Sequence, residues 1–246
     1  MSRYMVQATW DDCPHLEEDE KEALFASLPP HQQDARSKGI PSLGSGAIYP
    51  VPESEIVVDP FELPPWYHYS AGMDVGWKST AVVWFARDPN TGVEYIYDTY
   101  KVGQREPAIH ASAIRARGDW VPIAIDPAAR GRSQRDGEQL YQDYFDLGLD
   151  LVKAQNSVEA GIYQVWQALS TGKLKVFGSC RDWLGEYRIY RRDEKGHIVK
   201  DKDHLMDATR YGKVTGTNYA IQTPNEYDDD ADNYTTTGGA NEVTGY

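Results

Sequence analysis

The sequence predicts a mixed α/β domain, with a sheet of antiparallel and parallel strands covered by helices. Two observations lead there. Tyr67 to Val75, Thr80 to Arg87 and Val93 to Lys101 are successive runs rich in β-branched and aromatic residues, the composition of strands. From Glu106 onward, helical stretches alternate with short apolar runs. Strands followed by alternating helices build a sheet with helical layers.

Taken in order, Trp10 to Ser27 sets Leu16, Leu24 and Phe25 among Glu17, Glu18, Glu20 and Glu22, a short acidic helix stopped by Pro29-Pro30. Gly39 to Pro65 is punctuated by glycines and prolines around the apolar run Ile56-Val57-Val58, and is expected to be extended and surface-lying. The second and third strands are joined by Asp88-Pro89-Asn90-Thr91-Gly92, a turn-forming cluster, and so are expected to pair as an antiparallel hairpin. Glu106 to Arg117 reads as a helix with Pro107 in its first turn, and Val121 to Ile125 as a strand running into Asp126. A helix over about Asp136 to Leu147, a strand at Leu149 to Lys153 and a helix over Val158 to Ser170, closed near Gly172, follow. The last strong helix is Asp203 to about Val214, with Leu205, Met206, Thr209 and Tyr211 as packing residues. Trp66, Trp84, Trp120, Trp166 and Trp183 are assigned to the core or its edge. The division expected is 1–65 as an acidic helix and linker, 66–221 as the main domain, and 222–246, nearly devoid of aliphatics, as a disordered acidic tail.

Composition bounds the function. The formal net charge of −13 argues at first against a nucleic-acid partner. Its distribution removes that argument. Residues 1–65 hold 12 acidic and 4 basic residues, residues 222–246 hold 6 and none, and residues 66–221 hold 20 and 21, so the main domain is close to neutral. No run approaches the roughly 18 apolar residues of a membrane span, and the first ten residues lack a signal peptide's apolar stretch, so no membrane partner is expected and the location expected is cytosolic. Cys13 and Cys180 stand alone, without metal-ligand or redox spacing, and read as ordinary thiols.

The chemistry lies in carboxylates. Asp74 ends an apolar strand and is followed by Gly76, and Asp126 is placed the same way after Val121 to Ile125. Aspartates at the carboxyl ends of neighbouring strands converge on one rim of a sheet, where open α/β sheets bind ligands. Asp203 and Asp207, four apart on one helix, share a face. Hard oxygen donors of this kind suit Mg²⁺ or Mn²⁺, and a pair of such ions activates a water and stabilises the leaving oxygen of a phosphodiester. Taken singly, a strand-end Asp is commonly a turn or cap residue, and Asp203 is placed to cap its own helix. The joint pattern of all three favours catalysis.

Gly72-Met73-Asp74-Val75-Gly76, Ile125-Asp126-Pro127-Ala128 and the stretch Asp203-His204-Leu205-Met206-Asp207-Ala208-Thr209-Arg210-Tyr211 resemble the three nuclease motifs of the large terminase subunit of tailed bacteriophages. Trp10-Asp11-Asp12, His15-Leu16, Pro29-Pro30-His31 and residues 35–41 resemble the segment joining ATPase to nuclease in such proteins, so the resemblance covers about residues 8–215. It implies an RNase H-like fold and an endonuclease that cuts double-stranded concatemeric viral DNA during packaging, in the host cytoplasm. Asp74, Asp126 and Asp203 are then the ligands of two divalent ions, with Asp207 as a fourth group and the choice between Asp203 and Asp207 as direct ligand left open. The ATPase domain, the portal and the small terminase subunit are the implied partners. A Walker A loop is missing: Gly76-Trp77-Lys78-Ser79-Thr80 lacks the spacing, and no ATP hydrolysis is expected.

For DNA contacts, the loop Arg130-Gly131-Arg132-Ser133-Gln134-Arg135 offers guanidinium groups for bidentate phosphate binding, with Arg130, Arg132 and Arg135 as the contacts. Arg188 and Arg191, in a basic hairpin or loop over Arg188 to Arg192, could track a backbone, and Lys200 and Lys202 flank the third motif. His204 reads equally as a helix-start hydrogen-bonder or a catalytic base. Two alternatives stand beside this reading: another RNase H-like nuclease, such as a resolvase or transposase, and a non-catalytic module that docks a motor onto a portal.

Overall fold

The computed structural model describes residues 9–13, 15–27, 37, 46–127, 134–193 and 195–224. Its helices are α1 (Glu18–Ser27), α2 (Glu53–Ile56), α3 (Pro107–Arg115), α4 (Gln134–Asp146), α5 (Val158–Ser170), α6 (Arg181–Tyr187) and α7 (His204–Val214). The strands are β1 (Val57–Val58), β2 (His68–Asp74), β3 (Thr80–Arg87), β4 (Glu94–Val102), β5 (Ile123–Ile125), β6 (Leu151–Lys153) and β7 (Leu174–Phe177). They form one mixed sheet in the order β1-β7-β4-β3-β2-β5-β6. Only β3 runs against the rest, antiparallel to β2 and β4, while β5, β6, β7 and β1 join in parallel. The expected hairpin of β3 and β4 is present, and so are the two aspartate-bearing strands side by side.

Both faces of the sheet are covered, and β3 shows how. Ala81, Val83 and Phe85 point into one apolar cluster, with side chains of α5, α6 and α7. Val82, Trp84 and Ala86 point into the other, with Ala111 and Ile114 of α3 and Tyr144 of α4. A strand buried on both faces reads as continuously apolar, as TAVVWFA does.

Three expectations are corrected. The described part of the stretch before Pro65 is not surface-lying: Tyr49, Val51 and Ile56 are buried, and β1 extends the sheet beyond β7. Tyr49 packs against Tyr187 and Tyr190, and the Tyr187 hydroxyl donates to the Val51 carbonyl at 2.6 Å, so the core crosses the boundary placed at residue 65. Proline and glycine set the backbone there, but the apolar side chains between them decided where it lies. Second, β7 and α6 had no counterpart in the expected elements. Third, Trp66 is exposed, whereas Trp84 and Trp183 are fully buried. Among the described residues no helix is long and apolar enough to cross a membrane. Both cysteines are free thiols, Cys180 being buried. The tail expected to be disordered lies, from residue 225, outside the described residues.

Candidate active site

Parallel pairing of β2 with β5 matches Met73 with Ile125, and the Asp126 amide donates to the Met73 carbonyl at 3.0 Å. Asp74 and Asp126 therefore leave the sheet together at one rim. Burial pushes the Asp74 carboxyl above its ordinary range, the charges of Asp207 and Asp126 add to this, and a hydrogen bond from His204 opposes it. The Tyr211 hydroxyl of α7 bonds to Asp126, and burial above all raises its pKa, with the Asp126 charge adding.

The third and fourth carboxylates arrive on α7, and two glycines set how close they come. A β-carbon on Gly72 would lie 2.0 Å from the Ala208 carbonyl oxygen and 2.4 Å from the Gly212 nitrogen; one on Gly212 would lie 2.3 Å from Phe85 Cε2. Without them α7 rests directly on the backbone of β2. Its first turn then meets the strand rim: His204 Nδ1 lies 2.8 Å from Asp74 Oδ2, the ring N–H donating to the carboxylate. That bond, with the Asp74 charge, raises the His204 pKa against the opposing effect of burial.

Asp203 occupies the N-cap position of α7, yet its side chain makes no capping hydrogen bond. It faces Lys200 instead, whose ammonium lies 2.9 Å from Asp203 Oδ2 and 3.0 Å from Asp207 Oδ2. Lys200 thus forms an ion pair with each of the two carboxylates. Arg210 Nη2 holds the other Asp207 oxygen at 3.1 Å. Among the described residues no three His, Cys, Asp or Glu side chains already converge as a metal cage. Asp203 and Asp207 are joined through Lys200, and Asp74 is engaged with His204.

A buried carboxylate that sequence reasoning missed fixes this end of α7. Glu186 of α6, its side chain 4% exposed, pairs with Lys101 of β4 and accepts the Leu205 amide at 2.7 Å. Burial raises its pKa, and the bonds from Lys101 and Leu205 oppose the rise. One carboxylate thus ties the sheet to an amide in the first turn of α7, which has no intrahelical partner of its own. The available signal was a glutamate three residues after Trp183, on the apolar face of its helix.

Asp74, Asp203, His204 and Asp207 line one cleft, and its rim carries Lys78, Lys101, Arg181, Lys200 and Lys202. Lys200 and Lys202 stand where the sequence placed them, although Lys200 is engaged with the carboxylates. Arg188 is exposed, and its guanidinium makes a bidentate pair with Glu53, at 2.6 and 2.8 Å, that holds α2 to the end of α6. Arg191 is exposed and bridges through its backbone to Ala47. Arg130 and Arg132 lie outside the described residues, and Arg135 falls in α4 where only the backbone is described.

This arrangement matches a known family. The family described as Terminase RNaseH-like domain matches residues 71–214, from the middle of β2 to the end of α7. The chain belongs to that family. The large terminase subunit of Enterobacteria phage LP7 is 33% identical over 221 residues, 86% of this chain and 46% of that protein, so the chain spans a little under half the length of this relative. The structure of the P22 large terminase nuclease domain superposes with a TM-score of 0.68 at 31% identity, over 74% of this chain and 97% of that one. The large terminase nuclease from thermophilic phage G20c, solved with bound magnesium, superposes with a TM-score of 0.52 at 16% identity, over 70% of this chain and 98% of that one, and shows the shared fold. The RNase H-like terminase fold expected from the three aspartate motifs is the fold observed.

Proposed function

We propose that this terminase domain is a divalent-metal-dependent endonuclease that cuts double-stranded concatemeric viral DNA during genome packaging. The observation that carries the reading is the placement of Asp74 and Asp126 on adjacent parallel strand ends, with Asp203 and Asp207 on a helix pressed against the same sheet and lining one cleft with Asp74. The donor set fits a hard cation: carboxylate oxygens on separate elements, with Asp203 and Asp207 already sharing a cationic group, the Lys200 ammonium. The G20c nuclease with its bound magnesium supports the same choice.

Asp74, Asp126 and Asp203 are assigned as ligands of two Mg²⁺ or Mn²⁺ ions, with Asp207 beside them. Bound there, such ions supply a nucleophilic water at neutral pH and stabilise charge on the phosphate. The protein's own residues do the rest. His204 steadies the Asp74 carboxylate through its ring N–H, and Arg210 holds Asp207. Lys200 neutralises Asp203 and Asp207 and lines the same cleft, where its ammonium would be available to phosphate if those carboxylates held a cation. The exposed Lys78, Arg181 and Lys202 offset the carboxylate charge that would otherwise repel the DNA backbone. Partners proposed with this role are the terminase ATPase domain, the portal and the small subunit, in the host cytoplasm.

The test is incubation of the purified chain with supercoiled plasmid and Mn²⁺ or Mg²⁺. Nicking and linearisation are expected, and are lost with EDTA, in Asp126→Ala, and in Asp74→Ala while its circular dichroism stays that of the wild type. An Asp74→Ala protein that cuts at the wild-type rate removes the site assignment, and intact plasmid in every lane removes the nuclease reading.

A further inference from the structure

The turn between β2 and β3 begins two residues after Asp74 and has features that the carboxylate site does not use. Trp77 at its tip is 65% exposed, the highest exposure among the large hydrophobic side chains described. A solvated indole is commonly a mobile surface residue, but this turn is braced. The Gln104 amide donates to the Trp77 carbonyl at 2.8 Å, from a residue held at φ +55° without being glycine. Gly103 passes so close that a β-carbon there would lie 2.1 Å from the Lys78 carbonyl oxygen. The end of β4 thus presses on the back of the turn, and a left-handed non-glycine residue is tolerated where surrounding structure holds it.

Next to Trp77, Lys78 is exposed and Ser79 is buried, and both line the cleft that holds Asp74, Asp203 and Asp207. The Ser79 hydroxyl is fully buried and has no hydrogen-bond partner among the described residues. Ammonium and aromatic ring side by side match the nucleic-acid backbone: lysine binds phosphate oxygens, and an aromatic face packs on sugar and base.

We infer that the braced turn Gly76 to Ser79 is a contact site for duplex DNA, in which Lys78 holds a backbone phosphate beside the Asp74 site and Trp77 packs against the adjoining deoxyribose and base edge. The inference rests on the nuclease reading and deepens it. It assigns positioning of the scissile phosphodiester to the sheet side of the cleft, across from Arg181 and Lys202. The contact is independent of base sequence, because every nucleotide offers the same phosphate and sugar.

The test is fluorescence anisotropy of a short fluorescein-labelled duplex titrated with the full chain carrying Asp74→Asn, so that binding is read without cutting. In this parent, Trp77→Ala is expected to weaken binding about tenfold, the scale of aromatic contacts with nucleotides, whereas Trp77→Phe retains most of the affinity. Lys78→Gln is expected to lower the slope of log affinity against log salt by about one, the mark of one lost phosphate contact. Trp77→Ala leaves that slope unchanged, which separates its role from charge. A Trp77→Ala protein that binds as the parent does, or a Lys78→Gln protein with the parent's slope, overturns the inference. A parent without affinity for duplex, together with a wild type that leaves plasmid intact, overturns the nuclease reading and the inference together. Plasmid nicking by the wild type alongside unaffected turn variants overturns the inference alone.

Discussion

The two faces of the sheet are built from the same strands and covered differently. On the α3 and α4 side, Met73, Val82, Trp84, Ala86, Ile114 and Tyr144 form an almost wholly apolar layer. On the α5, α6 and α7 side, the apolar cluster is interrupted by buried Glu186, Thr209 and Arg210, and the backbones of β2 and α7 touch through Gly72 and Gly212. Only the second face ends in the cleft. A layer that merely closes a sheet tolerates adjustment, since side chains can repack. A layer that must place Asp203 and Asp207 against Asp74 uses contacts that cannot slide: backbone on backbone, and directional bonds to buried charges.

The sharpest break of this contrast is Gly72→Ala. The added methyl meets backbone on both the Ala208 and Gly212 sides, so α7 has to move. The expected cost is about 3 kcal/mol of stability in urea unfolding, with plasmid nicking lost even in protein that remains folded. Nearly as large is Glu186→Ala, which strands Lys101 and the Leu205 amide; removing one partner of a buried pair costs about 3 kcal/mol, here somewhat less because Lys101 is partly exposed. Glu186→Gln keeps an acceptor for Leu205 and is expected to restore part of both stability and nicking. If the alanine and glutamine variants behave alike, the bond to Leu205 contributes nothing. The smallest effect belongs to the plain face: Ile114→Val, at a site 1% exposed, is expected to cost about 1 kcal/mol and to leave the nicking rate at the wild-type value. A rate loss there as large as that of Glu186→Gln would erase the distinction between the faces.

Much of this was legible in the chain itself. The strand runs of β2, β3 and β4 and the turn at Asp88 to Gly92 predicted the antiparallel centre, and the α5 helix appears with the bounds expected, Val158 to Ser170. The positions of Asp74 and Asp126 after apolar runs predicted a shared rim, because strand ends are where side chains leave a sheet. The segment Leu174–Phe177 escaped for a physical reason: four residues carry too little periodicity to mark a strand, and its identity as β7 comes from pairing with Glu94, Tyr95 and Ile96, some eighty residues away. The pairing of Arg188 with Glu53, 135 residues away, likewise comes from the fold.

The sequence by itself determined which residues form strands and helices and which carboxylates stand at their ends, since those depend on local propensity and spacing. Tertiary structure alone decided that α7 lies flush on β2, that Asp203 turns from capping its helix toward Lys200 and the cleft, and that Glu186 ties that helix to β4. Apart from the local pair of Asp203 with Lys200, these are contacts between segments about twenty to more than a hundred residues apart, and whether a buried polar atom has a partner depends on what the rest of the chain brings to it.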